Sequence, residues 1–221
     1  MTTATVTSPA TAGLPILARG RHLHPTEGAC LLEYTSVLAG RPFSDRPRCT
    51  APVLSILGRL VNDTVSDEAR RELCLLAPDL AARPHSTAGA EAALVARVLS
   101  DVASAVSAEG EHRPARRTAR WLQTNAAAES RRAHAATTQL SAWWVRLTAV
   151  AHRNGVARLR LEYAIRASTI LDQDDRNRLL QRILMTAVAS VPPGSAAAKG
   201  RTEAPHVAVD RDVDSLTALL E

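Results

Sequence analysis

Residues 20–76 read GRHLHPTEGACLLEYTSVLAGRPFSDRPRCTAPVLSILGRLVNDTVSDEARRELCLL and hold all three cysteines of the chain, its only phenylalanine and two of its seven histidines. The spacing predicts three helices. Pro25 suits a first helical position, where its missing N–H would have no partner anyway. The first helix is expected to run to Ala39 with Gly40 as its stop. Glu27, Cys30, Leu31, Tyr34 and Leu38 then share one face, and Glu33 lies one turn from Cys30. A loop from Arg41 to Cys49 follows, stiffened by Pro42 and Pro47 and anchored by Phe43. Thr50 is read as the cap of a second helix with Pro52 in its first turn. Its apolar stripe is Val53, Ile56, Leu57, Leu60 and Val61, and Asn62-Asp63 is its end. Ser66 caps a third helix that carries Asp67 and Glu68 where the dipole favours acids. Leu73, Cys74 and Leu76 are its inner side, and Pro78 closes it.

The fixed spacings in this stretch carry a resemblance. Glu27-Gly28-x-Cys30-x-x-Glu33 is followed by Leu38-Ala39-Gly40-x-Pro42-Phe43-Ser44-Asp45-x-Pro47-x-Cys49, then by Pro52 and Asn62-Asp63-x-x-Ser66-Asp67. The pattern resembles an uncharacterised family of actinobacterial and actinophage proteins over roughly residues 19–80. The resemblance implies no activity, because none is established for the family.

The remaining chain also reads as helix and loop. Thr87 or Ser86 opens a helix to Ala108, with Leu94, Val95, Val98, Leu99, Val102 and Val106 on one face. Pro114 starts a helical pattern that reaches Ala151. One element of that length would measure about 58 Å at 1.5 Å per residue. A break at Thr124-Asn125 or Thr137-Thr138 is therefore expected, or else a projecting helix that needs a partner. Trp143 and Trp144 are assigned to its buried edge, and His134 and His152 to solvent or its boundary. Asn154-Gly155 is read as a stop, and Val156, Leu159, Tyr163 and Ala167 as the inner face of the next helix. Asp172 or Asp174 caps a last helix that buries Leu179, Leu180, Ile183, Leu184, Ala187 and Val188. The expected class is an all-α, irregular helical bundle, with a three-helix N-terminal unit and longer C-terminal helices. The divisions are a disordered tail over 1–14, the motif-bearing unit over 15–82, a bundle portion over 83–191 and a flexible tail over 192–221 that ends in an acidic, leucine-bearing segment.

Charge is uneven along the chain. One lysine accompanies 26 arginines, and the net charge is −1 over residues 1–110, +8 over 111–166 and −2 over 167–221. Arg113, Arg116, Arg117, Arg120, Arg131 and Arg132 are the candidate nucleic-acid contacts, although no base-reading motif accompanies them. Zinc is weighed on His24, Cys30, Glu33 and Cys49, with Glu27 and Asp45 nearby, since thiolate, imidazole and carboxylate all ligate it. No C-x-x-C or H-x-x-x-H pair supplies a half-site. A Cys30 or Cys49 nucleophile with His22 or His24 as base is the enzymatic alternative. No G-x-S-x-G, H-E-x-x-H or phosphate-cradling glycine loop occurs. The leading reading makes Glu27, Cys30, Glu33, Asp45, Cys49, Asn62 and Asp63 a structural cluster, without a cofactor. Three cysteines without pairing spacing fit a reducing cytoplasm, and no run is apolar enough to span a membrane. The expected function is a non-enzymatic binding or accessory protein. Its protein partner, or a second copy, would meet the helix over 114–153 or the C-terminal tail.

Overall fold

A computed structural model describes residues 14–109, 113–138 and 148–194 of the chain. Regular structure among them is helical, apart from two isolated bridges, Leu17 with Ala29 and Thr50 with Arg83. The architecture is an all-α irregular bundle. Its N-terminal part holds a 3₁₀ turn at Pro25–Glu27, α1 (Leu31–Leu38), α2 (Pro52–Thr64), α3 (Asp67–Glu72), a 3₁₀ stretch (Leu73–Leu76) and α4 (Ala77–Ala81). There follow α5 (Ala88–Ala108), α6 (Arg113–Thr137), α7 (148–152), a π turn (Arg153–Ala157), α8 (Arg158–Ala167), a 3₁₀ turn (Ser168–Ile170) and α9 (Gln173–Ser190).

Three helix starts are set by single side chains. Ser66 Oγ accepts from Ala69 N–H at 3.3 Å, Thr87 Oγ1 from Ala90 N–H at 3.1 Å, and Asp172 Oδ1 from both Asp174 and Asp175 N–H at 2.9 Å. Each satisfies donors that the first helical turn cannot. The longest apposition is the α5–α6 hairpin, and α5 also packs against α8 and α9. Helix α2 reaches α8 and α9, so one apolar core extends from Leu17 to Val191. Leu54, Leu99, Leu122, Leu161 and Leu180 are fully buried in it, and each contributes about 1.5–3 kcal/mol by leaving water. Gly58 lets α1 and α2 close up, because a Cβ there would stand 2.7 Å from Leu32 Cδ2.

Arg83 fastens the ends of the N-terminal part and α9 together. Its carbonyl accepts from Ala51 N–H at 2.6 Å, and its Nε donates to the Val191 carbonyl at 2.8 Å. Gly194 N–H reaches the Ala82 carbonyl at 2.8 Å, so the first residues after α9 fold back onto the same junction. Among the described residues, no helix is long and apolar enough to cross a membrane.

Several expected boundaries are corrected. The first helix begins at Leu31, because Gly28 has a φ of 113° that ends the Pro25 turn, and a Cβ at Gly28 would meet Ala18 Cβ at 3.0 Å. Ala51, not Thr50, stands at the N-cap of α2, while Thr50 Oγ1 donates to the Leu80 carbonyl. Asn62 and Asp63 lie inside α2, and Pro78 opens α4 instead of closing α3. The long element does end at Thr137, with Thr138 a bend. Asn154-Gly155 is no stop, since the helix passes through it as the π turn. The inner face of α8 is Leu161, Ala164, Ile165 and Ala167, whereas Val156, Leu159 and Tyr163 are exposed. Trp143-Trp144, residues 1–13 of the tail expected over 1–14 and the C-terminal segment after Gly194 lie outside the described residues.

Candidate functional site

The motif cluster is a clasp for backbone. Cys30 is the N-cap of α1: its Sγ accepts from Glu33 N–H at 3.5 Å, and Glu33 Oε2 accepts from Cys30 N–H at 2.7 Å. This is a capping box with a thiol where serine or threonine usually stands. The buried Glu33 carboxylate also accepts from His22 N–H at 2.9 Å, and His22 Nδ1 lies 3.0 Å from its Oε2. Asn62, fully buried, accepts from Leu31 N–H at 3.1 Å and donates to the Ala18 carbonyl at 3.0 Å. Asp63 Oδ1 accepts from Gly20 N–H at 2.8 Å. Together these bonds sew residues 18–31 onto the end of α2.

Glu27, Asp45 and Cys49 lie outside that clasp. Glu27 is exposed and accepts a long bond from Leu23 N–H. Arg59 Nη1 donates to the Asp45 carbonyl at 2.7 Å and stands 3.5 Å from its carboxylate, which pins the proline loop to α2. Cys49 is a half-buried free thiol. Burial, with Glu33's charge adding to it, pushes the Cys30 thiol up to about 12. Cys30 is therefore a neutral thiol at physiological pH, and His22 faces Glu33 in place of a sulfur. Of the zinc candidates, His24 is exposed beside the Pro25 turn and does not join Cys30, Glu33 and Cys49. Among the described residues, the trio of such side chains with ligand atoms mutually within 4.8 Å is Glu109, Asp172 and Asp175. Its Asp172 already caps α9.

The arginines form an outer face. Arg113, Arg116, Arg117 and Arg120 recur at helical spacing and are exposed, and Arg131 returns to that side three turns later. Arg132 instead donates to Thr148 Oγ1 at 2.8 Å, which ties α6 to α7. Glu129 is the only acid of α6 and is fully buried, so the outer side of this helix carries no carboxylate. Beside the arginines, Trp121 packs on Tyr163 of α8 with ring centroids 4.1 Å apart. Both remain 39 % exposed, and Leu159, one turn before Tyr163, is 64 % exposed. Val156 and Ile170 extend the same outward stripe.

Two buried carboxylates hold the long helices together, and neither stood out in the sequence. Glu129 Oε1 accepts from Arg160 Nη1 and lies 2.9 Å from His152 Nε2, while Arg160 Nε donates to Asn125 Oδ1 at 2.9 Å. Burial alone would raise the Glu129 carboxyl; the bonds from His152 and Arg160 outweigh it and hold the group below its ordinary value. Glu91 accepts a fork from Arg153, at 3.0 Å from Nε and 2.9 Å from Nη2, and a bond from Ser86 Oγ at 2.7 Å. His152, expected in solvent or at the helix boundary, is half-buried and partners Glu129. His152 and Arg160 are eight positions apart, about 80° out of line on a regular helix. The π turn between them takes up about one residue and brings both onto Glu129.

Compared with protein-family models, curated proteins and solved structures, the chain matches none.

Proposed function

We propose that the protein is a non-enzymatic binding or accessory protein that docks an acidic protein partner on the outer face of α6 and α8. The observation that carries this reading is the exposed Trp121–Tyr163 pair, set among Val156, Leu159 and Ile170 and bordered by Arg117 and Arg120. Trp, Tyr and Arg dominate binding hot spots, and a basic rim steers an acidic surface towards an apolar anchor. A non-enzymatic role is supported by the motif cluster, whose Glu33 and Asn62 are engaged by backbone and whose Cys30 thiol is held neutral. The three unpaired thiols favour a reducing, cytoplasmic setting, and the spacings of residues 19–80 favour kinship with the actinobacterial and actinophage family.

The second reading is nucleic-acid binding through Arg113, Arg116, Arg117, Arg120 and Arg131, favoured by the absence of exposed carboxylate on α6. The aromatic pair supports the protein reading better, because each ring already covers part of the other and neither is an open platform for a base.

Affinity purification of the full chain from its native cells, followed by reconstitution from pure components, tests the two together. Trp121→Ala with Leu159→Asp is expected to weaken the reconstituted protein complex by about a hundredfold, a hot-spot loss. Recovery of nuclease-sensitive material that depends on Arg117 and Arg120 but not on Trp121 would replace the first reading with the second. A homodimer in light scattering that dissolves in Leu159→Asp would make the face a self-association surface.

A further inference from the structure

We propose a binding site for a small organic phosphate in the cavity between the loop before α2, the first two turns of α2 and the π turn ahead of α8. The cavity holds about 570 Å³ and is lined by Arg46, Arg48, Arg59, Arg153 and Arg158, with no carboxylate among the described lining residues. It shares no residue with the Trp121–Tyr163 face.

Five arginines line one cavity, and like charges held close together repel one another. Their own partners only partly answer that charge. Arg59 meets Asp45, Arg153 meets Glu91, and Arg158 meets Glu162 at 2.7 Å. Arg46 comes no closer than 4.0 Å to Asp45, and Arg48 has no ion pair among the described residues. Burial holds the Arg59 group below its ordinary value; Asp45 opposes this, while the charges of Arg46 and Arg158 add to it. After burial, the like charges of Arg46 and Arg158 thus bear on Arg59.

Ser55 supplies an independent sign of a missing acceptor. It lines the cavity, is only 4 % exposed, and its Oγ has no hydrogen-bond partner among the described residues. Hydroxyls elsewhere in these helices bond the carbonyl one turn back, as Thr35 does to Leu31 and Thr64 to Leu60, both at 2.7 Å. A buried hydroxyl left without a partner costs about 1–3 kcal/mol; its oxygen is sealed as the helix stands, and a turn about the Cα–Cβ bond would present it to a phosphate oxygen. The first turn of α2 adds to the attraction. Its N-cap is Ala51, which offers no side-chain cap, so the positive end of the dipole is unanswered.

Arginine forks match the oxygens of a tetrahedral dianion better than any other side chain. The cavity is in the size range of small-molecule sites, larger than a lone ion requires. Pro47, Pro52, Ile56 and Pro84 give it apolar walls for an organic body. Those two features select a phosphate ester over inorganic phosphate.

Calorimetric titration and thermal melting of the full chain with glucose 6-phosphate and AMP, beside inorganic phosphate, glucose and adenosine, decide the matter. At least one ester is expected to bind one-to-one and raise the melting temperature, while its neutral parent does neither. Arg48→Gln with Arg158→Gln should weaken that ester by about tenfold or more, the loss of two charge-assisted contacts. Ser55→Ala should weaken it too, yet leave the unliganded melting temperature unchanged or higher, because a buried hydroxyl without a partner is removed. The proposal is overturned if neither ester shifts the melt at about 10 mM, well above a millimolar dissociation constant. It is also overturned if the double arginine variant binds like the wild type, or if inorganic phosphate binds as tightly as the esters. Loss of binding in Arg117→Glu with Arg120→Glu instead would move the anion to α6 and overturn the cavity assignment.

Discussion

Around α1 and α2 the buried polar side chains serve backbone: Glu33 takes the N–H groups of Cys30 and His22, and Asn62 takes that of Leu31. Between α5, α6 and α8 they serve one another, Glu129 with His152 and Arg160, Glu91 with Arg153. The difference lies in what is stranded when a side chain is lost. In the first region it is a neutral amide, whose desolvation costs about 1–3 kcal/mol. In the second it is a charge inside the bundle, for which about 3–5 kcal/mol is usual.

The largest expected effect therefore belongs to Glu129→Ala, a loss of about 3–5 kcal/mol in urea unfolding, since Arg160 is left without its carboxylate. Replacing Glu129, His152 and Arg160 together by leucine and methionine should return most of that loss, because the buried charges leave as a set. A single variant that costs under about 1 kcal/mol would erase the distinction between the regions. Acid sharpens it further. The Glu129 carboxyl is held below its ordinary value in the folded chain, so its stabilisation is full above the ordinary range and lost as pH falls through the lowered value. The acid limb of a stability profile should be shallower in Glu129→Ala.

A smaller effect is expected for Glu33→Ala, about 1–3 kcal/mol, with faster hydrogen exchange at the Cys30 and His22 amides and no change in α5 or α6. Exchange that rises equally across both regions would show that the clasp is not a local device. Smallest is Cys30→Ser, within about 1 kcal/mol, because serine is itself a favoured N-cap. In the wild type the folded thiol sits at about 12 against an ordinary 9.0. Its neutral form is favoured by folding, so that stability is full below pH 9 and declines as pH rises towards 12. Cys30→Ser removes this alkaline limb. At neutral pH iodoacetamide should label Cys49 and Cys74 while Cys30 stays unmodified in the native chain.

Legibility followed the distance over which a side chain acts. Ser66, Thr87 and Asp172 cap donors two or three residues away, and their helices begin where the sequence indicates. The spacing of Cys30 and Glu33 was visible as well, but it describes a capping box and not two neighbours within a helix that starts at Pro25. Gly28 decides between those readings through a left-handed backbone that its neighbours do not advertise. Across the π turn and α8, Val156, Leu159 and Tyr163 are larger than Ala157 and Ala164, yet the alanines face the core. Small side chains let helices approach closely, and no pattern of one helix reveals how close its neighbour comes. Glu129 and its partners are 23 and 31 residues apart, and Glu91 and Arg153 are 62 apart. Pairs of that kind become visible only once α5, α6 and α8 have been laid side by side.

The π turn at Arg153–Ala157 has a genetic consequence. It stores one residue more than a regular helix needs, between two side chains that must both meet Glu129. Deleting Gly155 would let the turn relax to an ordinary α turn while His152 and Arg160 stay about 20° from alignment. A deletion inside α8 has no such slack and would rotate one flank of the helix against α5 by about 100°. Descendants of this chain that shorten the helix by one residue should therefore do so at this turn.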